Sequence, residues 1–344
     1  MSLFGLTEYI ISHPEFRELS KVFEDRPSAP GRLARRRWRG VLLDSAKPCL
    51  IAALHRSLQR PMVIVTARSE SAKHLREQLG IWAADPMDIH LFPEPDVRPY
   101  ERQSWEASVA LDRLRVLDLL TRHQAGAPVV VLSLSALMVR TPTRAYFSES
   151  SRVIQSGTRV GPAALLEALV DLGYEADRAV EVPGTFSRRG GIIDLFSPAE
   201  DFPVRVEFFG NEVESLRTFD PKDQRSIGPV DSALIIPARE SLLDGAHDLD
   251  VPGIMDGLGL SACSPDASVR IEEDLNSYLL GGQFEGRESY AHLFLHGTFF
   301  DYVPRDALIV LDDMISLKSA YHDMADQAEQ LKNQRIEERE LPRT

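Results

Sequence analysis

The chain has 344 residues, 43% apolar and 26% charged, which is enough apolar material for packed cores and about two domains. Its 39 basic and 52 acidic residues leave a net charge of −13, which excludes a protein that binds duplex DNA over its whole surface. Two cysteines, Cys49 and Cys263, are too few and too far apart for a disulfide framework or a cysteine zinc site, and no apolar run is long enough to span a membrane. The start, Met1-Ser2-Leu3-Phe4-Gly5, lacks the charged and apolar regions of a secretory signal. The expectation is a cytoplasmic protein with two buried free thiols, no membrane contact and no metal site.

Residues 1–30 hold amphipathic helical fragments and end in a connector, Arg26-Pro27-Ser28-Ala29-Pro30. A basic run follows at Arg32, Arg35, Arg36, Arg37 and Arg39, either a solvated helix face or a weak contact for DNA phosphates. Gly40 to Leu43 reads as the strand of a strand–turn–helix whose helix covers about Cys49 to Leu58. Pro61 to Ala67 and Pro128 to Ser133 are short β-branched runs of the fully buried type, and Ile89 to Pro93 is a further strand. Helical periods fall at Ser69 to Leu79, Asp112 to His123 and Leu134 to Val139. Strand and helix alternate at the spacing of a mostly parallel sheet.

The pattern changes near residue 151. A helix at Gly161 to Leu172 is followed by short strands at Ile192 to Phe196, Val204 to Phe209 and Glu212 to Phe219, with a hairpin turn at Gly210-Asn211. This reads as a small antiparallel α+β module ending near Pro237. The pattern is mixed to about residue 306, and Ala307 to Asp313 reads as another buried parallel-type strand. Ser316 to Glu340 is polar and helical, and the sequence reads as the N-terminal piece of something longer.

The segment around Lys47 has the outline of a phosphate-binding loop, in which glycines let backbone N–H groups wrap the phosphates, a lysine reaches the outer ones and a hydroxyl holds magnesium. The chemistry is missing. Val41 and Ala46 stand where glycines belong, and Pro48 offers neither hydroxyl nor N–H. The matching acidic pair at a strand end is Asp312-Asp313, followed by Met314 and Ile315. Lys47, Asp312 and Asp313 therefore read as remnants of a nucleotide site with no catalytic role.

Two longer stretches carry a resemblance. Gly184-Thr185-Phe186-Ser187-Arg188-Arg189-Gly190-Gly191-Ile192-Ile193-Asp194-Leu195-Phe196 and Val204 to Arg217 resemble the second domain of the excision-repair protein UvrB, and Asp301 to Asp313 resembles the approach to its DExH motif. UvrB keeps an intact phosphate loop and an aromatic β-hairpin for damaged DNA. Here Phe92 to Tyr100 runs directly into the helix near Leu111, leaving no room for that hairpin. A UvrB-like region without those features resembles the N-terminal part of the transcription-repair coupling factor (Mfd) family.

The resemblance implies an α/β protein: a degenerate helicase-type parallel-sheet domain, UvrB-like and split in sequence, with an inserted small antiparallel α+β module. Residues 1–150 would be domain 1a, 151–237 a UvrA-binding module, and 238–344 domain 1b with a helix leading to further domains. It implies an adaptor without cofactor or ATPase activity of its own, recruiting UvrA, the damage-recognition ATPase of nucleotide excision repair, to stalled RNA polymerase. RNA polymerase and DNA would be met by other domains of the parent chain, and those domains would mask the UvrA face. The alternative is a divergent UvrB-type, ATP-dependent damage-binding repair enzyme.

The positions matching UvrA contacts in the family are Arg189, Arg205 and Phe209, with Glu207 between the last two; Ser187 replaces one UvrB-type arginine. Strand alternation supports a surface there. Val204, Val206 and Phe208 fall on one face and Arg205, Glu207 and Phe209 on the other. Arginine and aromatic side chains dominate binding hot spots. Without the resemblance, Phe209 could equally pack under the hairpin and both arginines form surface ion pairs.

Overall fold

The computed structural model describes residues 3–24, 37–83, 88–123, 126–242 and 251–342. In chain order the helices are α1 (Thr7–Ser12), α2 (Pro14–Glu24), α3 (Lys47–Leu58), α4 (Ser69–Trp82), α5 (Ala107–Arg122), α6 (Leu134–Met138), α7 (Arg144–Ser150), α8 (Pro162–Asp171), α9 (Val251–Gly257), α10 (Pro265–Leu279), α11 (Ala291–Phe294), α12 (Phe299–Tyr302) and α13 (Met314–Glu337). The strands are β1 (Met62–Thr66), β2 (Ile89–Phe92), β3 (Val129–Ser133), β4 (Arg152–Gln155), β5 (Glu175–Ala176), β6 (Thr185–Arg189), β7 (Ile192–Phe196), β8 (Val204–Phe209), β9 (Glu212–Phe219), β10 (Ser226–Pro229), β11 (Ser232–Ile235) and β12 (Leu308–Leu311). The chain divides into two compact units.

The first unit comprises Met1–Glu94, Arg122–Val139 and Tyr302–Ala325. Its sheet has the order β12-β1-β3-β2, every pair parallel. The two central strands, Met62-Val63-Ile64-Val65-Thr66 and Val129-Val130-Val131-Leu132-Ser133, are buried at every position, as β-branched runs covered on both faces must be. Ile51 and Leu54 of α3, Leu75 and Leu79 of α4, and Phe16 of α2 share one core with Met62, Ile64 and Val131. Helix starts follow local chemistry: Pro48 sits in the first turn of α3, and the Ser133 hydroxyl accepts from the Ala136 N–H to cap α6.

Three sequence expectations need correcting in this unit. Gly40 to Leu43 forms no strand; these residues are exposed, and a short 3-10 turn at Asp44–Ala46 leads into α3. Three apolar residues behind a glycine do not hold a strand without a neighbour to pair with. Strand β12 is parallel as expected but not buried. It lies at the sheet edge, where Leu308 and Val310 join the core while Ile309 and Leu311 stand about half exposed. Cys263 is buried, but Cys49 is only partly so, its thiol donating to the Ala46 carbonyl. Of the basic run, Arg32, Arg35 and Arg36 lie outside the described residues, as does the connector at 26–30; Arg37 and Arg39 are exposed.

The second unit comprises Pro95–Thr121, Arg140–Asp301 and Asp326–Thr344. Its main sheet has the order β10-β9-β8-β7-β6-β5, antiparallel except for the short β5–β6 pair. A separate ribbon pairs β4 with β11. One sheet face packs Ile193, Leu195, Val204, Val206 and Leu216 with Leu165 and Leu169 of α8 and with Ile154 and Ile235 of the ribbon. Gly210 adopts φ +62 in the β8–β9 turn, a left-handed conformation that glycine takes without steric cost.

Two buried arginines tie together the remainder of this unit. Arg113 is fully buried, with Nε and Nη2 at 2.6 and 3.0 Å from the two carboxylate oxygens of Glu240, and it lies over the Trp105 ring. Arg287 donates to the carbonyls of Ser241, Tyr278 and Gly282 and stacks on Tyr278. Removing one partner of a buried pair strands the other charge. Arg113→Ala is therefore expected to destabilise the unit by about 3–5 kcal/mol, measured by urea unfolding of the chain.

Candidate functional site

Register places the side of the six-stranded sheet opposite α8 in two rows. Ser187, Asp194, Arg205 and Arg217 face one another across β6 to β9, and Arg189, Ile192, Glu207 and Ser215 form the next row. Beyond a bulge between Glu207 and Phe208, Phe209 sits opposite Glu212 at the hairpin end. The face is thus the one that alternation assigns to Arg205, Glu207 and Phe209, with Phe208 turned toward the core.

The first row is organised around a buried carboxylate. Asp194 is 2% exposed, and its two oxygens accept from Arg205 Nε at 2.7 Å and Nη2 at 2.9 Å. The Arg205 guanidinium carbon lies 4.8 Å from the centre of the Phe219 ring, which belongs to a small cluster with Val180 and Phe196. The hydrogen bonds that Arg205 donates to Asp194 raise the Arg205 pKa above its ordinary value, although burial acts against them. Arg205 is therefore locked in plane and direction by a bidentate pair and an aromatic floor.

The second row is looser. Glu207 is half-buried and accepts from Ser215 Oγ at 2.7 Å and Arg217 Nη2 at 3.0 Å. Arg189 is exposed and donates to the Arg178 carbonyl. Phe209 is 79% exposed, so it does not pack under its own hairpin. An apolar ring held this far into water at the tip of a rigid hairpin is suited to filling a partner's pocket.

Sequence reasoning gave no role to Asp194, Ser215, Arg217 or Phe219. The available signal was Asp194 itself, an acid in the middle of the apolar strand Ile192-Ile193-Asp194-Leu195-Phe196, which requires a buried cationic partner.

Two of the three residues expected from sequence to be nucleotide-site remnants, Lys47 and Asp312, come together in the first unit. Lys47 Nζ lies 2.6 Å from Asp312 Oδ1 and 2.7 Å from Asp44 Oδ1. Burial lowers the Lys47 pKa, but the hydrogen bonds and charges of Asp312 and Asp44 outweigh it and hold the value above the ordinary one. Asp313 is elsewhere engaged: at φ +52 its carboxylate caps α13, accepting from Ile315 N–H and Ser316 Oγ. A phosphate at this place would have to displace carboxylates from Lys47, with no glycine N–H groups around it. Among the described residues no group of three or more His, Cys, Asp or Glu is arranged to hold a metal, and no helix is long and apolar enough to cross a membrane.

Residues 153–240, which supply this sheet and its α8 cover, match the family model of the UvrB interaction domain. The chain also aligns with transcription-repair-coupling factors: at 30% identity over 289 residues with that of Myxococcus xanthus, covering 79% of this chain and 23% of the relative. With the Bacillus subtilis protein identity is 29%, covering 83% and 25%, and with that of Escherichia coli K12 it is 28%, covering 64% and 19%. The chain carries a UvrB interaction domain. It is a homologue of the transcription-repair-coupling factors (Mfd), spanning about a quarter of the length of the relatives from M. xanthus and B. subtilis.

Because the Phe209 ring contributes little to the core, Phe209→Ser is expected to leave stability within about 0.5 kcal/mol of the wild-type chain, checked by urea unfolding followed by circular dichroism.

Proposed function

We propose that this chain is an adaptor that binds UvrA through the open face of its UvrB interaction domain, within a protein of transcription-coupled nucleotide excision repair. The observation that carries the reading is the pairing of a rigidly held Arg205 with a solvent-exposed Phe209 on the sheet face opposite α8. Arg189, Arg205, Glu207 and Phe209 are the contact residues on this reading. Residues 151–237 form the docking module, and 1–150 with 238–344 supply the UvrB-like scaffold. The adaptor works in the cytoplasm, recruiting UvrA to a stalled RNA polymerase. RNA polymerase and DNA are engaged by other parts of a longer polypeptide, which also mask the UvrA face.

The scaffold acts without ATPase chemistry. What supports this is the Lys47–Asp312 ion pair at the place where a phosphate would bind, together with Ala46 and Pro48 around it. Lys47, Asp312 and Asp313 are remnants on this reading.

Two measurements test the proposal. UvrA binding by the full chain is expected to lose about 2 kcal/mol or more with Arg205→Ala and with Phe209→Ala, as for central hot-spot residues, with circular dichroism showing both folded and Arg205→Ala less stable because it strands the buried Asp194. Wild-type strength in both folded variants removes this face as the docking site. Titration of the chain with magnesium-ATP is expected to give no binding heat and no hydrolysis; turnover abolished by Lys47→Ala would instead establish the divergent repair ATPase.

A further inference from the structure

We infer that Asp194 is a positioning residue for UvrA docking, and that through it Arg205 and Arg189 serve the interface in different ways. The inference rests on the docking reading above and adds the chemistry by which the face recognises its partner. Asp194 is almost fully buried in a strand of otherwise apolar residues. A carboxylate in that setting is costly unless both oxygens are paired, and here both are, by the Nε and Nη2 of one side chain. That arrangement uses one edge of the guanidinium fork. Nη1 makes no hydrogen bond among the described residues and, with the second N–H of Nη2, is left to donate to a partner. Phe219 beneath the group fixes the plane in which it is offered.

Arg205 therefore presents a directed donor from a group whose charge Asp194 already balances. The partner atom it fits is a single acceptor such as a carbonyl oxygen, and it does not require an opposing carboxylate. Arg189 is the contrasting case. Arg178, Arg188 and Arg189 are all exposed along the β6 edge, and among the described residues no carboxylate lies within ion-pairing distance of any of them. With Asp177 and Glu181 in the adjoining loop, these arginines still form a cluster of exposed positive side chains without ion-pair partners among the described residues, suited to an acidic surface of UvrA. Charge of that kind acts through encounter rate and is screened by salt, whereas a compensated, prepositioned donor acts on dissociation.

The test is binding of the full chain to immobilised UvrA at low and high salt, for wild type, Asp194→Asn, Arg205→Ala, their double variant and Arg189→Gln. Asp194→Asn and Arg205→Ala are each expected to weaken binding about tenfold or more, through faster dissociation. The double variant is expected to be no weaker than Arg205→Ala alone, because Asp194 acts only through Arg205. Arg189→Gln is expected to slow association and flatten its salt dependence, a slope that Arg205→Ala leaves in place. Losses that add in the double variant, or a salt slope removed by Arg205→Ala, overturn the inference while the docking face stands. Failure of the wild-type chain to bind UvrA overturns the docking reading and this inference with it. A measurement independent of folding in the variants is proton exchange at Arg205 Nε–H in the wild-type chain by NMR. It is expected to be slow, and exchange as fast as at Arg189 removes the fixed donor on which the inference depends.

Discussion

The register of the six-stranded sheet, which turns apolar residues toward α8 and a band of charged residues to the other side, is the constraint from which the rest of this unit follows. Ile193, Leu195, Val204, Val206 and Leu216 give the sheet its core with α8 and the β4–β11 ribbon. The alternation of side chains along each strand then sends every second residue to the other face, where Phe196 and Phe219 are buried with Val180 and Asp194 is buried against Arg205. Charged residues on that face have to satisfy one another within the sheet. They do so in register, Asp194 with Arg205 and Glu207 with Arg217 and Ser215, so that neighbouring strands are cross-linked on the open side as well. The result is a surface on which Asp194 and Arg205 are held in fixed geometry while Arg189 and Phe209 stand in solvent.

The first unit shows the opposite use of charge. Here Lys47 pairs with Asp312 and Asp44 and so joins the start of α3 to the end of the edge strand β12.

The sequence was informative where structure is local. The runs at 62–66 and 129–133 read as buried strands because β-branched residues without polar alternation fit only the middle of a parallel sheet. The faces of Val204 to Phe209 were legible from period alone. What escaped depended on pairing between distant segments. Strand β12 reads as buried from its composition, and only its position at the sheet edge leaves Ile309 and Leu311 half exposed. Arg152–Gln155 and Ser232–Ile235 become strands by pairing with each other across the whole module. The role of Asp194 is of the same kind, since it exists only in the register that sets it opposite Arg205.

The topology of the two sheets also separates them in folding. Strands β6 to β9 form an unbroken meander in which each pairs with its sequence neighbour, through two-residue turns at Gly190-Gly191 and Gly210-Asn211. Closure of such hairpins carries little loop entropy, and contacts between near neighbours favour fast formation. Strand β1 must instead hold an open edge until Leu308–Leu311, far along the sequence, is available. During synthesis the β6–β9 meander can therefore assemble from contiguous sequence while the parallel sheet still lacks β12. That order makes the meander the robust part of the fold and the addition of β12 the step most exposed to misassembly.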